Sequence, residues 1–218
     1  MGYMLFIRRF FLLVLTFIWF VTPLCANADE EVENKIYITE SDSKLNAVIE
    51  GAGNTTIRLK PKEQVLWMDT SGYLGAALSS DRFYVVSITS GAWKEFRLKP
   101  QEAEGATASL SPFIAVLATD DRAVCYNISM NSFFEIRLPV RSELVAVKAG
   151  KHVAVVATTD KLFGIRKRSS SFTDARLKVG ERVSEIDVTA NKVVVRTSDR
   201  LLSFVVAATP LAWPCRLA

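Results

Sequence analysis

Five of the six Arg-Leu dipeptides in this chain of 218 residues recur at nearly constant intervals, and the sixth, Arg200-Leu201, falls outside the period. Successive copies lie 39, 40, 39 and 40 residues apart, and an aspartate precedes each arginine by 16 residues, or by 17 in the last copy. The arginines are Arg58, Arg97, Arg137, Arg176 and Arg216. A period this constant predicts one supersecondary unit repeated five times, with length changes confined to turns.

Each of the four complete repeats contains four short runs that are typical of β-strands. They are four to seven residues long, rich in Val, Ile, Phe, Tyr and Thr, and bounded by Gly, Ser, Asp, Asn or Pro. In the second repeat the predicted strands are Val65–Met68, Tyr73–Leu78, Phe83–Ile88 and Trp93–Leu98. Four strands per repeat are typical of a propeller blade. We therefore predict an all-β fold, a β-propeller of five blades of about 40 residues each.

The first repeat is incomplete, because its predicted strands Ile36–Thr39, Leu45–Ile49 and Thr55–Leu59 align with the second, third and fourth strands of the others. Only the acidic stretch Asp29–Asn34 precedes them. The last predicted strand, Ala212–Leu217, is a fourth strand, so no C-terminal segment is left to complete the first blade. A five-bladed ring is the favoured arrangement, and an open or partner-completed arc is the alternative.

The N-terminus has the pattern of a secretory signal peptide. Arg8 and Arg9 precede the apolar run Phe10–Leu24, and Ala26-Asn27-Ala28 resembles a cleavage site. The apolar run is shorter than the roughly 20 residues that a membrane span needs. We therefore predict a signal peptide over residues 1–28 and a single propeller domain over residues 29–218, exported to the periplasm or secreted. An uncleaved anchor remains the alternative.

Removal of residues 1–28 leaves 25 basic and 23 acidic side chains, a net charge of +2 without any basic block. This balance argues against nucleic acid as a partner. Cys125 and Cys215 would remain, in different repeats, and we expect two buried thiols rather than a disulfide. Asn54-Thr55-Thr56 and Asn127-Ile128-Ser129 are glycosylation sequons, which matter only in a eukaryotic source.

Parts of the third repeat resemble a degenerate WD repeat: Ser111-Pro112, Ala118-Thr119-Asp120-Asp121 and Val124–Ile128 follow its order of turn, inner strand, aspartate turn and third strand. The stretch Ser90–Phe96 is similar to the Gly-x-Trp segments of quinoprotein-like propellers. The Gly-His and Trp-Asp dipeptides of WD repeats are absent from every copy. The resemblance implies a propeller that serves as a binding scaffold.

The polar loops that follow each Arg-Leu pair are the predicted binding site. In a propeller they join one blade to the next on a single rim, and loop residues carry function more often than others. The candidate residues are Lys60, Lys62, Glu63, Lys99, Glu102, Arg141, Glu143, Lys178 and Glu181. We expect another protein as the partner, with the oligomeric state of the chain left open.

Acidic residues stand two positions before three of the arginines, in Glu95–Arg97, Glu135–Arg137 and Asp174–Arg176. Residues two apart on a strand share a face. These pairs are therefore predicted to form ion pairs along the outermost strand, where they would not converge on a common ligand.

Catalytic residues are sparse. His152 is the only histidine, no cluster has metal-ligand spacing, and no cofactor or metal is predicted. Carbohydrate-active hydrolysis by carboxylates near the central channel is the alternative function. Its candidates are Asp69, Glu185 and Asp187.

Overall fold

The computed structural model describes residues 32–205, which fold into strands and turns with no helix that could cross a membrane. The eighteen strands of these residues form five antiparallel sheets in chain order, each a simple meander. The first sheet contains β1 (Ile36–Ser41), β2 (Lys44–Ile49) and β3 (Gly53–Arg58). The second contains β4 (Val65–Ser71), β5 (Leu74–Ser79), β6 (Arg82–Ser87) and β7 (Trp93–Arg97).

The three remaining sheets follow the same order. The third contains β8 (Thr107–Leu110), β9 (Ile114–Ala118), β10 (Arg122–Asn127) and β11 (Ser132–Arg137). The fourth contains β12 (Leu144–Ala149), β13 (Val153–Thr158), β14 (Lys161–Arg166) and β15 (Thr173–Arg176). The fifth contains β16 (Val183–Val188), β17 (Lys192–Thr197) and β18 (Leu201–Val205). The predicted strand Ala212–Leu217 and the predicted signal peptide 1–28 lie outside the described residues.

The Arg-Leu period has a backbone explanation. The arginine ends the outermost strand of its sheet, and the following leucine is buried while its N–H donates to the carbonyl of the aspartate turn. The N···O distance is 2.8 Å from Leu98 to Asp81 and 2.9 Å from Leu177 to Asp160. The four Arg-Leu pairs of this period within residues 32–205 all make a contact of this kind, so length changes there are confined to the loops beyond it.

The core lies in layers between consecutive sheets. In the three middle sheets the second and third strands are buried on both faces, whereas β4 and β7 are only half-buried. Leu74 and Phe83 of the second sheet meet Leu117 and Tyr126 of the third in one such layer. Four-stranded meanders packed face to face in succession are β-propeller blades, which confirms the predicted fold class.

The second sheet approaches the first so closely that it has no room for a side chain at Gly75. A Cβ atom there would lie 2.8 Å from Cγ2 of Ile38. The fourth and fifth sheets meet in a similar way, because a Cβ atom at Gly164 would lie 2.8 Å from the Phe204 ring. Small residues in the middle strands therefore set the distance between blades, as the taper of a propeller requires.

The first and fifth sheets each leave one face exposed. Tyr37 on the first is 57% exposed and Leu201 on the fifth is 65% exposed. Both faces mix polar and apolar side chains: Thr39, Lys192 and Arg196 lie on them together with the exposed Val48 and Val205. Within residues 32–205 these two faces are not covered by another sheet, as in an open arc.

Candidate functional site

The loops of the propeller lie on two rims. One rim, called the crossover rim here, carries the aspartate turns between second and third strands together with the connections between sheets. These connections are residues 59–64, 98–106, 138–143 and 177–182. The other rim, called the hairpin rim, carries the turns between first and second strands and between third and fourth strands. All nine predicted binding residues lie on the crossover rim.

Three of the four connections share a glutamate whose side chain folds back onto the loop. The carboxylate Oε2 accepts a hydrogen bond from the backbone N–H three residues earlier, at 2.8 Å for Glu63, 2.7 Å for Glu102 and 2.7 Å for Glu181. The sequence pattern Leu-Lys-x-x-Glu encodes this turn. The four-residue turn runs from the lysine to the glutamate. Its third residue has a positive φ, as at Lys62 (70°) and Gly180 (81°), which is the geometry of a type II turn.

The other carboxylate oxygen joins the loop to the aspartate turn of the same sheet. Oε1 of Glu102 accepts hydrogen bonds from the Thr119 hydroxyl at 3.0 Å and from Nε of Arg122 at 2.6 Å. Glu181 has the same two kinds of partner, Thr197 at 2.6 Å and Arg200 at 2.9 Å. We call this arrangement the glutamate staple.

Hydrogen bonding keeps the staple carboxylates ionised. The hydrogen bond from Arg200, with further ones from the Lys178 N–H and Thr197, lowers the pKa of Glu181 to about 2. Burial alone would raise the pKa of Glu63, but hydrogen bonds from Ser79, the Lys60 N–H and Tyr84 lower it below its usual value. The pKa of Glu102 is likewise lowered against burial, chiefly by Arg122.

The connection 138–143 keeps the same backbone turn, with a φ of 70° at Arg141, but it lacks the glutamate contacts. Pro139 stands where the other loops have a lysine, so there is no N–H to bind a carboxylate. Ser142 occupies the position of the glutamate, and Glu143 is displaced by one residue and exposed. Lys161 stands in the place of Arg122 and Arg200. The fourth sheet therefore lacks the glutamate staple.

An open cleft with a volume of about 1010 Å³ lies where the staple is missing. It lies between the connections 98–106 and 138–143, beside the aspartate turn and the outermost strand of the third sheet. Its lining residues are Lys99, Gly105, Thr107, Asp120, Asp121, Arg122, Glu135, Arg137, Leu138, Val140, Arg141, Ser142, Glu143 and Leu144.

The cleft contains both paired and free charges. Lys99 pairs with Asp121 at 2.9 Å, and Nη1 of Arg122 reaches Glu135 at 2.8 Å. Among the salt bridges within residues 32–205, none involves four other lining residues: Asp120, Arg137, Arg141 and Glu143. Val140 projects from the loop tip with 89% of its surface exposed. The cleft thus combines the apolar side chain of Val140 with acidic and basic side chains that form no salt bridge within residues 32–205.

The structure divides the nine predicted residues into two groups. Glu63, Glu102 and Glu181 form the staples, so their carboxylates are hydrogen-bonded within the protein. The other six are at least partly exposed: Lys60, Lys62, Lys99, Arg141, Glu143 and Lys178. Only Lys99, Arg141 and Glu143 line the cleft. Sequence analysis missed Pro139 and Val140, although the loss of Leu-Lys-x-x-Glu from one connection was a visible signal.

The predicted ion pairs along the outermost strand are wrong. Glu95 pairs instead with Arg82, Glu135 with Arg122, and Asp174 with Lys161 at 2.8 Å. In each case the partner is the basic residue that begins the neighbouring third strand. Cross-strand pairing brings this residue onto the same face as the acid, and the sequence spacing alone did not show it.

The three carboxylates proposed for hydrolysis do not form a common site. Asp69 lies on β4 of the second sheet, whereas Glu185 and Asp187 lie on β16 of the fifth. Glu185 faces Arg196 at 3.6 Å on the exposed face of the fifth sheet. Within the described part of the chain, no group of three His, Cys, Asp or Glu side chains could hold a metal ion.

Two other predicted positions are buried. Cys125 is a free thiol in the core, as expected, while Cys215 lies outside the described residues. Asn127 of the second sequon is buried, and its side-chain amide donates to the carbonyls of Arg166 and Ser169 at 3.0 and 3.2 Å. A glycan could not be attached there without breaking the turn, whereas Asn54 is exposed.

No protein-family model and no curated protein matches the chain. Similar solved structures include BamB from Moraxella catarrhalis (12% identity, TM-score 0.39), Kluyveromyces lactis Hsv2 (10%, 0.42) and Prp20p from Saccharomyces cerevisiae (8%, 0.43). They cover 78%, 80% and 78% of this chain. The chain in turn covers 55%, 59% and 55% of theirs, little more than half of each. The propeller assignment therefore rests on the five sheets and their packing.

Proposed function

We propose that this chain is a protein-interaction module that binds its partner in the cleft beside connection 138–143. The observation that carries the proposal is the coincidence of three features at one loop. The staple is missing there, the cleft opens there, and Val140 is almost fully exposed. Elsewhere on the crossover rim the glutamates hold the connections against their sheets.

The lining of the cleft suits a protein surface of mixed polarity. Arg137 and Arg141 can receive carboxylates, while Asp120 and Glu143 can receive a lysine or arginine. Val140 supplies an apolar contact at the edge. Non-obligate protein interfaces usually combine apolar contacts with polar and charged groups.

The next connection offers a matched control, because Val179 occupies the position equivalent to Val140 and is also fully exposed. Its loop carries an intact staple through Glu181. A photo-reactive amino acid placed at position 140 should cross-link a discrete partner from the native cell fraction, and one placed at position 179 should not. Equal cross-linking from both positions, or from neither, would contradict the assignment of the cleft.

We also propose that the partner is met outside the cytoplasm. The basic start, apolar run and Ala-x-Ala exit of residues 1–28 support this proposal. The intact mass of the protein recovered from its native source should correspond to a chain that begins at Asp29. A mass that includes Met1 would refute cleavage.

A further inference from the structure

Three basic side chains and one histidine lie on the hairpin rim of the fourth sheet. Lys151 and His152 lie in the turn between β12 and β13, and Lys167 and Arg168 lie in the turn between β14 and β15. The Lys167 N–H donates to the His152 carbonyl at 3.0 Å, which fixes the two turns side by side. This cluster is on the opposite rim from the proposed cleft.

A row of aromatic side chains leads up to the cluster from the neighbouring sheets. The rings of Tyr73 and Phe113 are 5.2 Å apart, and those of Phe113 and His152 are stacked at 5.1 Å with an interplanar angle of 12°. Nζ of Lys167 lies 3.2 Å from the Phe113 ring centroid. The row therefore crosses the second, third and fourth sheets and ends among positive charges.

Carboxylates do not neutralise this cluster in the described part of the chain. No salt bridge between residues 32 and 205 involves Lys151, Lys167 or Arg168. Burial, followed by the charges of Lys167, Lys151 and Arg168, lowers the pKa of His152. Burial and the neighbouring cations also lower the pKa of Lys167.

The elements packed against His152 supply no negative charge to it. The third sheet contributes the Phe113 ring, and the fifth sheet contributes the carbonyl of Ala190, which accepts a hydrogen bond from the backbone N–H of His152 at 2.8 Å. The neighbouring turn of its own sheet contributes the cations Lys167 and Arg168. A ligand that brings negative charge would therefore relieve repulsion among these groups.

We propose that the hairpin rim of the fourth sheet binds an acidic peptide segment, with carboxylates against Lys151, Lys167 and Arg168 and an apolar side chain against Tyr73 and Phe113. Charge complementarity selects an anionic partner. The elongated aromatic row favours an extended chain over a compact ion, because Tyr73 and Phe113 offer apolar contact on two successive sheets before the cations of the fourth.

His152 is a direct reporter of this site, since it is the only histidine of the chain. In untagged full-length protein at constant ionic strength, the His152 ring signals can be followed by NMR while a short glutamate–leucine peptide is added. We expect the signals to shift and the pKa of His152 to rise on binding, since bound carboxylates favour the imidazolium. Affinity should increase as the pH falls through that pKa.

The double variant Lys167→Gln/Arg168→Gln should bind the peptide about tenfold more weakly. The variant Arg141→Gln, in the cleft on the other rim, should bind it with unchanged affinity, so this test is independent of the proposed function. Unshifted His152 signals would overturn the proposal, as would equal binding of a lysine–leucine peptide. A response to pyrophosphate without a response to the acidic peptide would overturn the assignment of a peptide ligand.

Discussion

Tyr37 stands on the outer face of the first sheet at the position that Gly75 holds in the second. Tyr37 pairs across its strands with Val48, and Gly75 pairs with Val86 in the same register. The second sheet has no room for even a Cβ atom there, because the first sheet packs against it. Tyr37 at the equivalent place is 57% exposed, so no sheet covers this position within residues 32–205, as at the end of a stack of repeats.

The outer face of the fifth sheet likewise carries a large exposed side chain where the fourth sheet has a small buried one. Arg196 pairs with Leu201 as Ala157 pairs with Leu162 in the fourth sheet, but Arg196 is exposed and Ala157 is fully buried. We expect Arg196→Ala to change the free energy of unfolding by less than about 1 kcal/mol. Ala157→Arg should cost about 4 kcal/mol or prevent folding, because it buries an unpaired charge.

Urea unfolding followed by circular dichroism measures both changes. A large loss of stability from Arg196→Ala would show that the outer face is packed in solution. The pair therefore tests the open arc directly.

The fourth and fifth sheets approach so closely at Gly164 that a larger residue there should destabilise the protein. A Cβ atom there would lie 2.8 Å from three atoms of the Phe204 ring, so Gly164→Ala should destabilise the protein by about 1–3 kcal/mol. Gly105→Ala is the matched control, because its Cβ atom would meet only the Asp120 carboxylate at 3.6 Å. The control should be neutral or stabilising by up to about 1 kcal/mol in thermal unfolding. Equal losses in both variants would refute the packing between the fourth and fifth sheets.

The glutamate staple should contribute measurably to stability. Glu102→Gln removes the charge that Arg122 contacts at 2.6 Å and should cost about 1–3 kcal/mol in chemical unfolding. Glu143→Gln, in the connection without a staple, should change stability by less than about 0.5 kcal/mol. If the two variants were equally stable, Glu102 would have no structural role.

The glutamate staple also predicts that the protein becomes less stable as the pH falls. The pKa values of Glu63, Glu102 and Glu181 are lowered in the folded state, that of Glu181 to about 2, from an ordinary value of 4.5. Their contribution is therefore complete above pH 4.5 and is lost as the pH falls towards about 2. Urea midpoints measured from about pH 7 to about pH 3 should fall with pH, and less steeply in Glu102→Gln than in the unchanged protein. Parallel curves would contradict this assignment.

The fold could be predicted from the sequence because its period is carried by residues with local roles. In the described repeats, the leucine after each periodic arginine is buried and its N–H donates to a carbonyl of the turn between the second and third strands. That carbonyl belongs to the aspartate in three repeats and to Ser43 in the first. The observed strand limits agree with the predicted ones to within a few residues, as for Thr107–Leu110 and Val183–Val188. The resemblance to WD repeats and quinoprotein-like propellers extends only to the propeller architecture.

The candidate site could be predicted only in part. The sequence predicted that these loops share one rim, which the strand order bears out, but it could not show that Glu63, Glu102 and Glu181 turn inward. That orientation depends on a hydroxyl 16 or 17 residues further along the chain, which the sheet pairing brings near. For the same reason the partner of Glu95 was assigned within its own strand rather than across to Arg82.

The cleft beside Val140 is the surface that we propose to bind the partner protein. The most direct test is the affinity of the partner identified by cross-linking for three forms of the chain: unchanged, Val140→Asp and Val179→Asp. We predict that Val140→Asp weakens binding at least about tenfold, a loss of about 1.4 kcal/mol, while Val179→Asp binds as the unchanged protein does. Unchanged affinity in Val140→Asp, or an equal loss in both variants, would contradict the claim.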